Sequence, residues 1–105
     1  MTHYTLKRDR DRPLTFEGNL LAGVSTRHRR DRWTELRLYR TSDTGYVCEQ
    51  VGRTLVEGEM DRSRAWPCRD FAEIREALGD GPLARQLYLE AGFYGADRVG
   101  PETTE

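Results

Sequence analysis

The chain is poor in the residues that usually carry catalysis or bind metals. It has only two cysteines, Cys48 and Cys68, and only two histidines, His3 and His28. These residues have no spacing suited to a zinc site, and the cysteines are predicted to be reduced thiols. No serine lies in a nucleophile-elbow motif, and no glycine-rich loop leads from a strand into a helix to cradle a phosphate. The sequence therefore predicts a protein that is not an enzyme and uses no cofactor or metal.

Long apolar runs are also missing. No stretch approaches the roughly 18 apolar residues that a membrane span needs, and the first residues have no apolar signal-peptide region. We therefore expect a cytoplasmic protein that does not contact a membrane. The 105 residues predict a single domain over residues 1–94. Residues 95–105, where two glycines and a proline interrupt any pattern, are predicted to be a flexible tail.

Charge is nearly balanced in total but unevenly placed along the chain. Residues 1–42 contain ten cationic residues against five acidic ones, a net charge of +5. Residues 43–105 contain seven cationic residues against thirteen acidic ones, a net charge of −6. All but one of the cationic residues are arginine, which favours bidentate contacts with carboxylates and phosphates. This asymmetry indicates a charged partner.

Alternation of apolar and polar residues predicts antiparallel strands through about residue 60. The predicted strands are residues 3–7, 14–26, 33–41, 46–51 and 54–60, and residues 61–66 are predicted to be irregular. The alternation of the second strand slips near Gly18–Leu21, which indicates a β-bulge. Ser42–Gly45 has the composition of a hairpin turn. In the strand that precedes this turn, Leu36 and Leu38 are expected to face inward.

The spacing of apolar residues changes to the helical period near residue 70. Asp70, with Glu73 three residues later, matches a capping box, and it predicts a helix over residues 70–78. Pro82 is suited to the first position of a second helix, over about residues 82–91. Helices this short need a sheet to cover their apolar sides. The sequence thus predicts an α+β fold, with four to five antiparallel strands in residues 3–60 and both helices on one face.

The strongest candidate for a binding site is the segment 27–32, Arg-His-Arg-Arg-Asp-Arg, whose local charge is +3. Such a connection can contact phosphates or an acidic protein surface, or it can be a solvated loop. Trp33, which follows it, can stack on a base, anchor a protein interface or pack within its own sheet. The candidate partner-binding residues are Arg27, Arg29, Arg30, Arg32 and Trp33, together with Arg37 and Tyr39 on the same outward face.

Residues 16–51 resemble the middle of the EXLDI family of small bacterial proteins of unknown function. The shared positions are Phe16-x-Gly18, Leu21-Ala22, an arginine-rich gap, Thr34-Glu35, Tyr39-Arg40-Thr41 and Gly45-Tyr46-Val47. The C-terminal motif and the extended N-terminal region of that family are absent here. Residues 83–92 are similar to the end of small uncharacterised proteins of phages and mobile elements. The resemblance implies no catalytic residues and favours an accessory binding protein.

These features predict a small, non-enzymatic interaction protein whose partner is a protein or a ribonucleoprotein. A regulator or a defence-system inhibitor of a phage or mobile element would fit this description. The alternative is a nucleic-acid-binding accessory protein that uses the same arginine-rich loop, although a net charge of −1 is low for tracking phosphates. A third alternative, a small enzyme, requires a cleft with convergent polar groups near His28, Cys48 or Cys68.

Overall fold

The computed structural model describes residues 1–26 and 31–93. The elements are β1 (Thr2–Leu6), β2 (Leu14–Ser25), β3 (Arg32–Thr41), β4 (Tyr46–Thr54), β5 (Arg62–Cys68), α1 (Phe71–Leu78) and α2 (Pro82–Glu90). The five strands form one antiparallel sheet in the order β1-β2-β3-β4-β5. The predicted α+β class is therefore confirmed. The predicted tail, residues 95–105, lies outside the described residues.

Strand β2 changes partner along its length. Its first residues pair with β1, whereas residues from Gly18 onward pair with β3. The register with β3 shifts between Leu20 and Ala22, which confirms the predicted bulge. Because the shift changes the parity of the strand, Phe16 and Val24 contribute to cores on opposite faces of the sheet.

The main core lies between the sheet and the two helices. Its buried members are Ala22, Val24, Leu36, Leu38, Cys48, Cys68, Ile74, Ala84, Leu87 and Tyr88. Asp70 caps α1 by accepting a hydrogen bond from the backbone N–H of Glu73, and Pro82 occupies the first turn of α2, both as predicted. No helix among residues 1–26 and 31–93 is long and apolar enough to cross a membrane.

The opposite face of the sheet is half covered, because the β1–β2 hairpin folds over it. The rings of Tyr4 and Phe16 lie 4.7 and 5.2 Å from the ring of Tyr39, centroid to centroid. At the tip of the hairpin, the backbone N–H of Asp9 donates to the carbonyl of Ser63 at 2.9 Å. The Ser63 N–H donates in return to the Asp9 carboxylate at 2.9 Å. The connection between β1 and β2 thus closes the curled sheet against β5.

The predicted strand over residues 54–60 is wrong, and the fifth strand lies in the stretch that was predicted to be irregular. Residues 55–61 connect β4 to β5, and Gly58 adopts a φ of 88° there. In β5, Ser63 and Ala65 are buried, whereas Arg62 and Arg64 are exposed. Because the buried residues of β5 are small, they give only a weak apolar–polar alternation in the sequence. The same small size lets them fit beneath the β1–β2 hairpin.

Candidate partner-binding surface

Two connections meet at the end of the sheet where the arginine-rich segment lies. The backbone N–H of Leu55, in the β4–β5 connection, donates to the carbonyl of Asp31, in the β2–β3 connection, at 2.7 Å. Three of the seven predicted partner-binding residues, Arg27, Arg29 and Arg30, lie outside the described residues, as does His28. The other four predicted residues belong to β3, and the structure places them on two different faces.

Arg32 lies on the face of β3 that also carries the helices. Its guanidinium makes a two-pronged contact with Glu59, in which Nε donates to Oε1 at 2.9 Å and Nη2 donates to Oε2. The hydroxyl of Thr54 also donates to Glu59 Oε1, at 2.7 Å. Arg32 therefore joins the two connections, and its charge is matched by a carboxylate.

Removing the guanidinium of Arg32 is expected to raise the pKa of Glu59. Hydrogen bonds from Arg32 and then from Thr54 lower the pKa of Glu59 from its ordinary 4.5 to about 2. In an Arg32→Gln variant, an NMR titration of the Glu59 carboxyl carbon is expected to give a pKa above about 2 but still below the ordinary 4.5, because the hydrogen bond from Thr54 and the charge of Arg62 remain. Because the pKa of the folded state is the lower one, the pair stabilises the fold above about pH 4.5. That contribution is lost as the pH falls toward 2.

Arg64→Gln is the matched control for this titration, because Arg64 is exposed on β5 and is not among the groups that lower the pKa of Glu59. It is expected to leave the pKa of Glu59 at about 2. A pKa that also stays at about 2 in the Arg32→Gln variant would show that the contact between Arg32 and Glu59 does not form in solution.

Trp33 points to the face opposite Arg32, because consecutive residues of a strand alternate between faces. Its indole Nε1 donates to Glu35 Oε2 at 2.9 Å, and its side chain is half-buried. The guanidiniums of Arg37 and Arg53 reach the other carboxylate oxygen of Glu35, at 3.0 and 3.2 Å. One carboxylate thus holds an indole and two guanidiniums on the open half of this face.

Burial and hydrogen bonding act in opposite directions on Glu35. Burial raises the pKa of this carboxyl, but hydrogen bonds from Trp33 and Arg53 and the charges of Arg53 and Arg37 outweigh it, and the pKa is lowered overall. Glu35 is therefore ionised at neutral pH. Arg37 also contacts Glu49 at 3.4 Å, and Arg53 contacts Asp61 at 3.1 Å, so the network contains two cations and three anions.

Tyr39 does not belong to the open surface, although it lies on the predicted face. It is only 4% exposed, beneath Tyr4 and Phe16 of the folded-over hairpin. Its hydroxyl donates to the buried Glu49 at 2.9 Å, and burial together with the Glu49 charge raises the pKa of Tyr39. The prediction that Tyr39 is available to a partner is therefore wrong. Its burial depends on the β1–β2 hairpin, which is distant from Tyr39 in the sequence.

A groove of about 640 Å³ lies where the two connections meet, and it was not predicted from the sequence. It is lined by Thr26, Arg32, Trp33, Thr34, Gly52, Arg53, Glu59, Met60 and Arg62. Thr26 and Thr34 lie on the helix-bearing face, two residues along their strands from the paired core residues Val24 and Leu36 and nearer to the groove. The one available signal was the alternation of exposed arginines with small residues from Arg62 to Ala65.

The cysteines lie together but are poorly suited to nucleophilic chemistry. The sulfurs of Cys48 and Cys68 are 3.6 Å apart across β4 and β5, and both residues are buried. Burial raises the pKa of both thiols, so neither is a thiolate at neutral pH. Cys68 borders a crevice of about 730 Å³ near the β3–β4 turn. Among the described residues, no three His, Cys, Asp or Glu side chains form a group that could hold a metal ion.

Comparison of this chain with protein-family models, with curated proteins and with solved structures found no match. The resemblance of residues 16–51 to the EXLDI family stays a prediction, as does the similarity of residues 83–92 to phage proteins.

Proposed function

We propose that this chain is a small, non-enzymatic interaction protein that binds a protein or ribonucleoprotein partner. The binding surface comprises the arginine-rich segment 27–32 and the open half of the sheet face beside it, with Trp33 and Arg37. Tryptophan and arginine are the residue types that most often dominate binding energy at protein interfaces. The buried Tyr39 has no place in this surface.

The observation that supports the proposal most is the anchoring of Trp33, Arg37 and Arg53 by a single carboxylate, Glu35. Immobilising a flexible side chain at an interface costs about 0.5–1.5 kcal/mol. Side chains that are already held in place lose less freedom when a partner binds. An indole and two guanidiniums fixed side by side therefore favour tight contact with a complementary surface.

The balance of charge on the open face favours a protein over free nucleic acid. Arg37 and Arg53 are matched by Glu35, Glu49 and Asp61, so this face offers no excess of positive charge. A surface that follows a nucleic-acid backbone needs several cations, each of which neutralises a phosphate and releases a counterion. The segment 27–32, with four arginines and one aspartate, has a surplus of positive charge in sequence.

The proposal is tested by affinity capture from an extract of the native host followed by mass spectrometry, with an Arg29→Glu/Arg30→Glu variant alongside the parent chain. The parent is expected to retain a defined partner, and the variant is expected to lose it. The matched control is Arg64→Glu/Arg85→Glu, which changes the charge equally at exposed positions away from the proposed surface. This control is expected to retain the partner.

Loss of the partner in both variants would mean that total charge, and not this surface, governs the capture. An unchanged set of captured proteins in the Arg29→Glu/Arg30→Glu variant would refute the role of the segment. Binding to generic DNA or RNA, with a steep decrease in affinity as salt rises, would instead support the nucleic-acid alternative.

A further inference from the structure

The residues that line the groove at the meeting point of the two connections include three arginines and one acidic residue. The hydroxyl of Thr26 accepts from the backbone N–H of Thr34 at 3.0 Å, and no residue within 1–26 and 31–93 accepts its own proton. Both carboxylate oxygens of Glu59, the acidic residue of the lining, are already engaged by Arg32 and Thr54. A ligand that accepts hydrogen bonds therefore fits this groove better than one that donates them.

Arg62 supplies the positive charge of the groove. Its charge helps to lower the pKa of Glu59, but its guanidinium makes no ion pair or side-chain hydrogen bond within residues 1–26 and 31–93. By contrast, Arg32 is paired with Glu59, and Arg53 is paired with Glu35 and Asp61. The groove therefore has one guanidinium available for an external oxyanion, on its β5 side, whereas Thr26 lies on the opposite side, at the end of β2.

The surroundings of the groove favour a carboxylate over a nucleic-acid phosphate. A single available guanidinium matches one acidic side chain, whereas a nucleic-acid backbone is held by several phosphate contacts. Met60, which lines the groove, is 78% exposed, and Leu55 in the same connection is 65% exposed. These apolar side chains can be buried by apolar neighbours of an acidic residue in a polypeptide, but a sugar-phosphate backbone has no equivalent groups.

We propose that this groove binds a glutamate or aspartate side chain from an acidic and apolar segment of the protein partner. Arg62 contacts the carboxylate, and Met60 and Leu55 pack against the apolar residues beside it. The inference rests on the proposed function, since it names the kind of protein segment that is bound. It adds a second contact point, on the helix-bearing face, to the surface formed by segment 27–32 and Trp33.

The test uses a short synthetic peptide of alternating Glu and Leu residues, with a Gln-Leu peptide as the uncharged comparison. Titration into the isotope-labelled protein is expected to shift the amide NMR signals of Thr26, Thr34, Gly52 and Arg62. The Arg62→Gln variant is expected to bind the Glu-Leu peptide about tenfold more weakly, because it loses one hydrogen bond to a charged group. Arg64→Gln, on the same face of β5 but outside the groove, is expected to change the affinity by less than about twofold.

Several outcomes would overturn the proposal. One is that the Glu-Leu peptide does not bind. Another is that the Gln-Leu peptide binds as tightly as the Glu-Leu peptide. A third is that Arg62→Gln and Arg64→Gln weaken binding of the Glu-Leu peptide to the same extent. Tighter binding of single-stranded DNA, with the same dependence on Arg62, would assign the groove to nucleic acid instead. Both variants are exposed substitutions, and equal thermal unfolding of the variants and the parent would confirm that each is folded.

Failure of this inference is separable from failure of the proposed function. If host-partner capture depends on Arg29 and Arg30 but Arg62→Gln has no effect on peptide binding, the proposed function stands and the groove assignment falls. If no host partner is captured while the Glu-Leu peptide binds in an Arg62-dependent way, the proposed function falls and the carboxylate chemistry of the groove stands.

Discussion

A Gly18→Ala variant is expected to have a free energy of unfolding about 3 kcal/mol lower than the parent chain, at the upper end of the usual cost of overpacking. A Cβ at this position would lie 2.0 Å from the carbonyl oxygen of Arg40, which is far inside van der Waals contact. The neighbour is backbone and cannot rotate away. Gly18 pairs with both Thr2 and Thr41, so it lies where β2 passes from its pairing with β1 to its pairing with β3.

Urea unfolding followed by far-ultraviolet circular dichroism measures this difference, and Gly23→Ala provides the control. Gly23 is in the same strand, but a Cβ there would meet the Arg37 side chain at 3.5 Å, an ordinary contact. The control is therefore expected to change the free energy of unfolding by less than about 1 kcal/mol. Equal stability of the two variants would mean that β2 and β3 are not packed this closely at Gly18.

The position of Gly18 also bears on the proposed binding surface. The bend of β2 lays the β1–β2 hairpin over Tyr39 and leaves Trp33 and Arg37 uncovered. A variant that folds but has a displaced hairpin would expose Tyr39 and change the size of the open face.

Local patterns in the sequence were sufficient to predict most of the fold. The slipped alternation near Gly18–Leu21 indicated the bulge, and the helical spacing after Asp70 indicated both helices, because each pattern reflects burial of one side of an element. Asp70 caps its helix as predicted. The β3–β4 turn was also located correctly, and Thr44 takes a positive φ of 73° within it.

The fifth strand was misplaced because its inward side chains are small. Ser63 and Ala65 give little apolar contrast with the arginines beside them, whereas Leu55 and Val56 give a stronger but misleading apolar signal. Gly58, between Glu57 and Glu59, has no side chain to bury and takes a left-handed φ. Burial of Ala65 depends on the hairpin that folds over it, and no local pattern records that contact.

The candidate surface was less predictable because pairing across strands determines it. The turn over residues 42–45 places Arg37 opposite Glu49 and Trp33 opposite Arg53. The register of the predicted hairpin therefore implies the pairing of Arg37 with an acid. The contact between Arg32 and Glu59 could not be predicted in the same way, and neither could the exposure of Arg62 in the groove. Both depend on where β5 lies, and that strand was predicted in the wrong place.

A Leu87→Ala variant is expected to lose about 3 kcal/mol of stability, within the 2–5 kcal/mol range for removing a buried leucine side chain. Leu87 is 0% exposed, in the core between α2 and the sheet. Helices as short as α1 and α2 are not stable alone in water, so their structure depends on this packing. A cavity at Leu87 therefore weakens the attachment of α2 and, through Ile74 in the same core, that of α1.

Leu89→Ala is the matched control, because Leu89 is in the same helix but is 52% exposed. It is expected to change the free energy of unfolding by less than about 1 kcal/mol, as measured by urea unfolding. Hydrogen exchange distinguishes local from global loss: amides of α1 and α2 should lose protection in Leu87→Ala before those of β3 and β4. Comparable stabilities of the two variants would mean that α2 does not present Leu87 to the sheet. Because the proposed contacts of Trp33 and Arg37 lie on the face away from the helices, folded Leu87→Ala should still capture the partner.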